Sequence, residues 1–286
     1  MKTVEIIYRY EARDTPAKPL PADGNAALLR LDEGNRGFAA LLDHLKDDSG
    51  VIQQIIPVDP RDLGLLPDET GKLKQRPFAA ILGCSDARVP VELIFNEGPN
   101  DLFVVRVAGN GLGTDVLGSL KYAVDNLGGT LKLVAVLGHS GCGALTTAVD
   151  VFLNPGGYLA LATKHSLRDI LDRLQVVVRA SAGKLHAAFG PDVARSPGYR
   201  QALIEASIVT NAALAAYSIQ QEFESGEPTG VQAAYGVYLV ETREVWAPRL
   251  DDTKEAGLAA APRNFAEFGD VVVRSNRIAS YLTAEK

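Results

Sequence analysis

Cysteine is scarce in this chain: two residues, Cys84 and Cys142, in a length of 286. Two thiols cannot make the disulfide framework of a small secreted domain. A single Cys84–Cys142 bridge is the most they allow, and it would leave the nearby His139 and Asp86 without a purpose. Stretches of about 18 apolar residues are also missing, so no membrane span is expected. The first five residues, Met1-Lys2-Thr3-Val4-Glu5, lack the apolar core of a secretion signal. Long basic blocks are absent too. Lys and Arg total 29 against 35 Asp and Glu, a formal charge of −6, so nucleic acid is not an expected partner. Internal repeats and low-complexity segments do not occur. With 47% apolar and 22% charged residues, the expectation is a soluble, globular, cytoplasmic chain in a reducing compartment.

What is present has an alternating order. Thr3–Arg9 reads as a short strand or extended arm, and Pro16, Pro19 and Pro21 then break the chain. Leucines at 28, 29, 31, 41, 42 and 45 give a helical period from about Asn25 to Lys46, with Gly34 and Gly37 as points where it would split in two. Asp47–Lys74, with three prolines and several acids, reads as a loop. Three short apolar runs come next: Phe78–Gly83, Leu102–Val107 and Leu131–Leu137. Bounded by turn residues and rich in branched side chains, they read as buried parallel strands. The amphipathic stretch Asp115–Leu127 lies between the last two and makes a β-α-β unit. Helical patterns dominate Ala144–Phe152, His165–Phe189 and Tyr199–Phe223. Val231–Glu241 and Glu244–Trp246 read as a strand pair turning at Thr242-Arg243. Beyond Pro248 a loop is expected, with one terminal helix near Asn276–Thr283. The expected fold is α/β: a central, mostly parallel β-sheet flanked by helices, with an N-terminal helical arm and an antiparallel C-terminal edge strand. It is read as one domain, with an arm over 1–74, a core over 75–248 and a tail over 249–286.

The chemistry concentrates at strand ends. Cys84 ends one apolar run, and His139 and Cys142 follow another. In an open parallel sheet, sites form beyond the carboxyl ends of strands, where strand order reverses. If those two strands are neighbours, two thiolates and an imidazole meet without a long reach. That donor set suits Zn²⁺, and three ligands are one short of a closed tetrahedron, which is the pattern of a catalytic zinc with water in the fourth place. Asp86 and Arg88 directly follow the first cysteine. Gly138, Gly141 and Gly143 fit a tight turn where backbone crowds an ion.

The same residues admit other readings. Buried free cysteines are often core filler. Asp86 as a fourth ligand would close the tetrahedron and make the zinc structural. Gly83-Cys84-Ser85-Asp86-Ala87 has the look of a nucleophile elbow around Ser85, which would need His165 or His186 as partner. Gly109-Asn110-Gly111-Leu112-Gly113 lacks the third glycine of a dinucleotide-binding loop and reads as lining of a pocket mouth. Asp251-Asp252 reads as solvated surface.

Cys84-Ser85-Asp86-Ala87-Arg88-Val89 and Gly138–Ala144 resemble the CSDSRV and GHSxCGA motifs of the β-class carbonic anhydrases. The similarity is strongest from Gln75 to Thr147, continues more loosely through Asn211–Phe223 and Val231–Trp246, and extends to Gly34-Asn35-Arg36-Gly37-Phe38. It implies a zinc ion, one per chain, on Cys84, His139 and Cys142, with Asp86 and Arg88 as the catalytic dyad. It also implies substrate-binding roles for Gln75 (across a subunit interface), Val89, Phe103, Tyr122 and Gly143. The implied activity is reversible hydration of CO₂ to bicarbonate and a proton, by a homodimer or higher even oligomer with no membrane or nucleic-acid partner. Alternatives are hydrolysis of carbon disulfide or carbonyl sulfide on the same zinc, or a non-catalytic zinc-binding assembly subunit. Ile81 stands where members with a regulatory bicarbonate site carry Trp, which argues against that mode. Val107 and Lys121 depart from the Asn and Glu usual in the family.

Overall fold

The computed structural model describes residues 3–12, 18–41, 50–67, 73–158, 165–225, 229–248 and 257–283. The Asp251-Asp252 pair lies outside them. Near the N-terminus, β1 (Thr3–Tyr10) pairs in parallel with β2 (Val51–Val58), in register from Thr3↔Val51 to Tyr10↔Val58. The second strand corrects the loop expected over 47–74. Its prolines argued against a strand, but in a two-stranded ribbon each strand has a free edge, and there Pro57 forfeits no ladder bond.

Among the described residues between these strands, one helix, α1 (Gly24–Ala40), runs unbroken through Gly34 and Gly37; the rest of the expected helical stretch, from Leu42 to Lys46, lies outside the described residues. Helix α1 starts where the Asp23 carboxylate accepts the Ala26 N–H at 2.8 Å, a side-chain N-cap. Gly34 does not break it. A Cβ there would lie 1.9 Å from the Phe95 carbonyl oxygen, so this glycine serves close packing.

The main sheet contains β3 (Ala79–Cys84), β4 (Leu102–Val107), β5 (Leu133–His139), β6 (Gln232–Tyr238), β7 (Val245–Trp246) and β8 (Ala259–Ala260). Its order is β4-β3-β5-β6-β7, with β8 also pairing with β6. The first four strands are mutually parallel, while β7 and β8 run antiparallel to β6. Every residue of β3 and β5 is buried, which explains why their sequences are continuous apolar runs. Ala80, Leu82, Val134 and Val136 face one core, and Ala79, Ile81, Leu133, Ala135 and Leu137 face the other. This alternation is the period of two of a pleated strand.

The second core is covered by α1 and by the short α2 (Val91–Ile94). The first core lies under α3 (Thr114–Leu127), α4 (Gly143–Leu153), α5 (His165–Phe189), α6 (Tyr199–Glu224), α7 (Phe265–Arg274) and α8 (Asn276–Thr283). Among the described residues, the tail holds two helices and a short strand where one helix was expected. Among the described residues α6 is long and apolar enough by length and composition to cross a membrane, although Glu205, Thr210 and Asn211 interrupt its apolar run. Of its apolar window, 83% is buried inside the protein, so it is the central core helix.

From β3 the chain passes to β4 on one side and later to β5 on the other. Strand order therefore reverses between β3 and β5, and the crevice at their carboxyl ends is the switch point.

Candidate metal centre

Cys84 is the last residue of β3 and His139 the last of β5. Cys142 is the residue before α4. Because β3 and β5 are hydrogen-bonded neighbours, the three side chains converge. One donor atom from each lies within 4.8 Å of the others, and all three residues are buried. A tetrahedral zinc with bonds of about 2.3 Å to sulfur and 2.0–2.1 Å to nitrogen places its ligand atoms roughly 3.6–3.8 Å apart. The cluster needs only a small contraction to meet that. Both cysteines are free thiols.

The imidazole is pre-aimed. His139 Nδ1 is 3.0 Å from the Ser140 carbonyl oxygen, which makes Nδ1 the N–H donor and Nε2 the lone-pair nitrogen. Nε2 is buried without a hydrogen-bond partner. A buried polar atom left unpaired costs about 1–3 kcal/mol, and a metal ion at this position removes that cost. The residues present fit a zinc ion.

Electrostatics favour a thiolate pair around a cation. Cys84 is pulled down to about 3, chiefly by its hydrogen bond with Cys142 and also by the amides of Asp86 and Gly109. The Gly109 N–H lies 3.3 Å from Cys84 Sγ. Cys142 is pushed up, first by that same pairing and then by burial. One buried thiolate thus suppresses the second, and a dication relieves the conflict. The Ala144 and Leu145 amides at the start of α4 oppose the upward push on Cys142, as the positive end of a helix should.

Asp86 sits beside the cluster. Its Oδ2 is 3.9 Å from His139 Nε2. Arg88 grips it by three bonds: Nε to Oδ1 at 3.0 Å, Nη2 to Oδ2 at 2.8 Å, and backbone N to Oδ1 at 2.9 Å. These hydrogen bonds, the guanidinium's first, hold Asp86 well below the usual carboxylate range. The carboxylate is therefore ionised, engaged with Arg88, and adjacent to the donor atoms.

The other expected site residues divide. Val89 is fully buried, in the core shared with α1 and α2. Gly143 opens α4, directly after Cys142. Phe103 pairs with Ala80, four residues or about 13 Å of strand away from Cys84. Tyr122 lies on α3, 53% exposed. Gln75 is exposed and precedes β3, at the end of the sheet opposite the cluster. Within one chain, Gln75 and Phe103 are not brought to the metal ligands. Of the glycines, Gly141 has the left-handed φ of 63° that the turn requires, whereas a Cβ at Gly138 would meet Ile208 of α6 rather than the ligand cluster.

Sequence reasoning passed over some contributors. Arg106 donates from Nε to the Cys84 carbonyl at 2.9 Å and from Nη2 to the Asp86 carbonyl, so it clamps the loop carrying the dyad. Its signal was a charge inside the apolar run Leu102–Val107. Asn211 of α6 donates to the Gly109 carbonyl at 2.8 Å. Glu241 accepts from Ser140 Oγ at 2.8 Å. A polar residue on a mostly apolar helix and an acid in a turn gave no such warning.

Residues 79–240 match the family model described as carbonic anhydrase. Carbonic anhydrase 2 of Mycobacterium tuberculosis is 43% identical over 103 residues, which is 35% of this chain and 45% of that protein. A carbonic anhydrase of Pseudomonas aeruginosa is 44% identical over 78 residues, 25% of this chain and 34% of its own. The chain thus spans less than half the length of these relatives. Among solved structures, a β-carbonic anhydrase of the fungal pathogen Aspergillus fumigatus aligns over 88% of this chain and 97% of its own, with 21% identity and a TM-score of 0.45. Neither sulfide hydrolysis nor a non-catalytic role finds support in these comparisons.

Proposed function

The chain belongs to the β-class carbonic anhydrase family, and on that premise we propose that it hydrates CO₂ reversibly to bicarbonate and a proton at a zinc site formed by Cys84, His139 and Cys142. The observation that carries the reading is the buried, unpartnered His139 Nε2 within 4.8 Å of two thiols, beside an ionised Asp86. A zinc ion supplies Lewis acidity that makes water available as a nucleophile near neutral pH.

The protein's own residues supply the rest. An ionised carboxylate only accepts hydrogen bonds. Asp86 accordingly takes the hydrogen bond of the attacking water and aims its lone pair at the substrate carbon. Arg88 keeps Asp86 ionised and engaged, through a two-pronged pair. Arg106 and the Gly109 amide hold the loop and the Cys84 sulfur in place.

Gln75 supports a second copy of the chain as partner. The six residues of β3 alone extend roughly 16 Å, so Gln75 is remote from its own cluster and is available to that of a neighbour. We propose a homodimer or higher even oligomer, to be checked by sedimentation of dilute protein. A reducing cytoplasm, which keeps both thiols free, is the proposed compartment.

The test is a stopped-flow CO₂-hydration assay on zinc-loaded protein across pH. Activity is expected to be weak in mildly acidic solution and to rise toward alkaline pH, because two thiolate ligands weaken the metal's pull on water. No hydration above the buffer rate at any pH, with zinc bound, defeats the proposal.

A further inference from the structure

We infer that Glu241 is a positioning residue for the metal ligand His139, acting through Ser140; the inference rests on the zinc reading above. Glu241 lies in the turn after β6, one residue past the segment matched to the family model. Its Oε2 accepts from Ser140 Oγ at 2.8 Å. The same hydroxyl oxygen accepts the Val240 N–H at 3.0 Å, and the Ser140 N–H donates to the Tyr238 carbonyl at 2.9 Å. Ser140 is thereby pinned at three points to β6 and its turn. The carbonyl of this pinned residue is the acceptor for His139 Nδ1, at 3.0 Å.

The pinning matters because the next residue offers none. The peptide that carries the Ser140 carbonyl leads into Gly141, whose φ is 63° and whose missing Cβ would meet nothing within 4 Å. Packing at Gly141 therefore does not fix the orientation of that peptide, and a glycine there turns easily. The Ser140 side chain is what holds it, and Glu241 is the acceptor that fixes the direction of the Ser140 hydroxyl. If the carbonyl rotates, the Nδ1 bond is lost, the imidazole turns, and Nε2 leaves the line to the metal. Groups that orient a ligating histidine this way typically contribute 10–100-fold to metal affinity.

Arg88 and Arg277 also act on the Glu241 carboxylate by charge. A pure charge role and a hydrogen-bond role make opposite predictions for an amide. Glu241→Gln removes the charge but keeps an oxygen that accepts from Ser140.

The experiment tracks zinc release from the zinc-loaded full-length protein into excess chelator. Glu241→Ala is expected to release zinc about tenfold faster than wild type. Glu241→Gln should stay within about twofold, and Glu244→Gln, on the same turn, should match wild type. Combining Ser140→Ala with Glu241→Ala should be no faster than Ser140→Ala alone, since the two act in series. Release from Glu241→Ala at the wild-type rate, or from Glu241→Gln as fast as from Glu241→Ala, overturns the inference while leaving the zinc reading intact. Wild-type protein that takes up no zinc overturns both.

Discussion

Replacing Asp86 by asparagine changes one atom, and the structure dictates the consequence. Asp86 Oδ1 accepts from two donors, Arg88 N at 2.9 Å and Nε at 3.0 Å, while Oδ2 accepts from one, Nη2 at 2.8 Å. An asparagine must place its NH₂ on one of those two positions. On the Oδ1 side it would face two N–H groups, and on the Oδ2 side only one. The amide therefore turns its nitrogen to the Oδ2 side, which is the side 3.9 Å from His139 Nε2. A donor then stands where the attacking water needs an acceptor. A correctly placed acid–base group contributes about 10²–10⁴-fold, so kcat/KM should fall by at least about 100-fold, or about 2.7 kcal/mol of barrier. Zinc content should remain at one per chain, because the three ligands are untouched. The depressed Asp86 carboxylate is already ionised everywhere above its ordinary range near pH 4. Its stabilising contribution is lost only as pH falls through the lowered value, so the defect must be constant between about pH 6 and 9. Stopped-flow hydration with parallel metal analysis measures both. A zinc-replete variant within about threefold of wild type, or one rescued at high pH, would refute the assignment of Asp86 as the acceptor.

Other expectations probe the ligands and the frame. Cys142→Ala should reduce bound zinc from one per chain to near zero on elemental analysis, because two remaining donors cannot hold the ion against buffer. Gly34→Ala should destabilise by about 3 kcal/mol, read by urea unfolding. Its new Cβ would stand 1.9 Å from the Phe95 carbonyl oxygen, and a backbone atom cannot step aside as a side chain does; an unchanged midpoint would show that α1 shifts freely. Asp101 is pushed up to about 6, by burial first and by Glu97 second. A raised carboxylate pKa means the folded state holds its proton more tightly, so stability falls as pH rises from about 4 to 6. Asp101→Asn should therefore gain on wild type across that window, by about 1–2 kcal/mol once discounted for the third of the side chain that meets water. Equal pH dependence of the two melting temperatures would contradict this.

Much of the fold was legible because burial on both faces writes an unmistakable pattern. Phe78–Gly83 and Leu131–Leu137 read as buried strands, and β3 and β5 occupy them fully buried; Leu102–Val107 is a strand as expected, but β4 lies at the sheet edge and is only half-buried. The ribbon strand Val51–Val58 was not legible, since Pro57 and Pro60 are turn residues wherever a ladder partner is not known. The helix over Phe265–Arg274 escaped notice as well. It is short, and its apolar face, Phe268, Val272 and Val273, is defined by the core it covers.

By itself the sequence determined the donor set, because thiolate and imidazole chemistry is a property of residue type, and it determined that the donors end apolar runs. Whether those runs lie side by side was a matter of topology. The order β4-β3-β5 is decided by which strands pair, and pairing is a long-range competition that no local window records. The same holds for the Arg106 clamp across 22 residues of chain and for the Glu241–Ser140 bond across 101. A hydrogen bond needs its partners within about 3 Å, and only the folded sheet brings such distant positions that close.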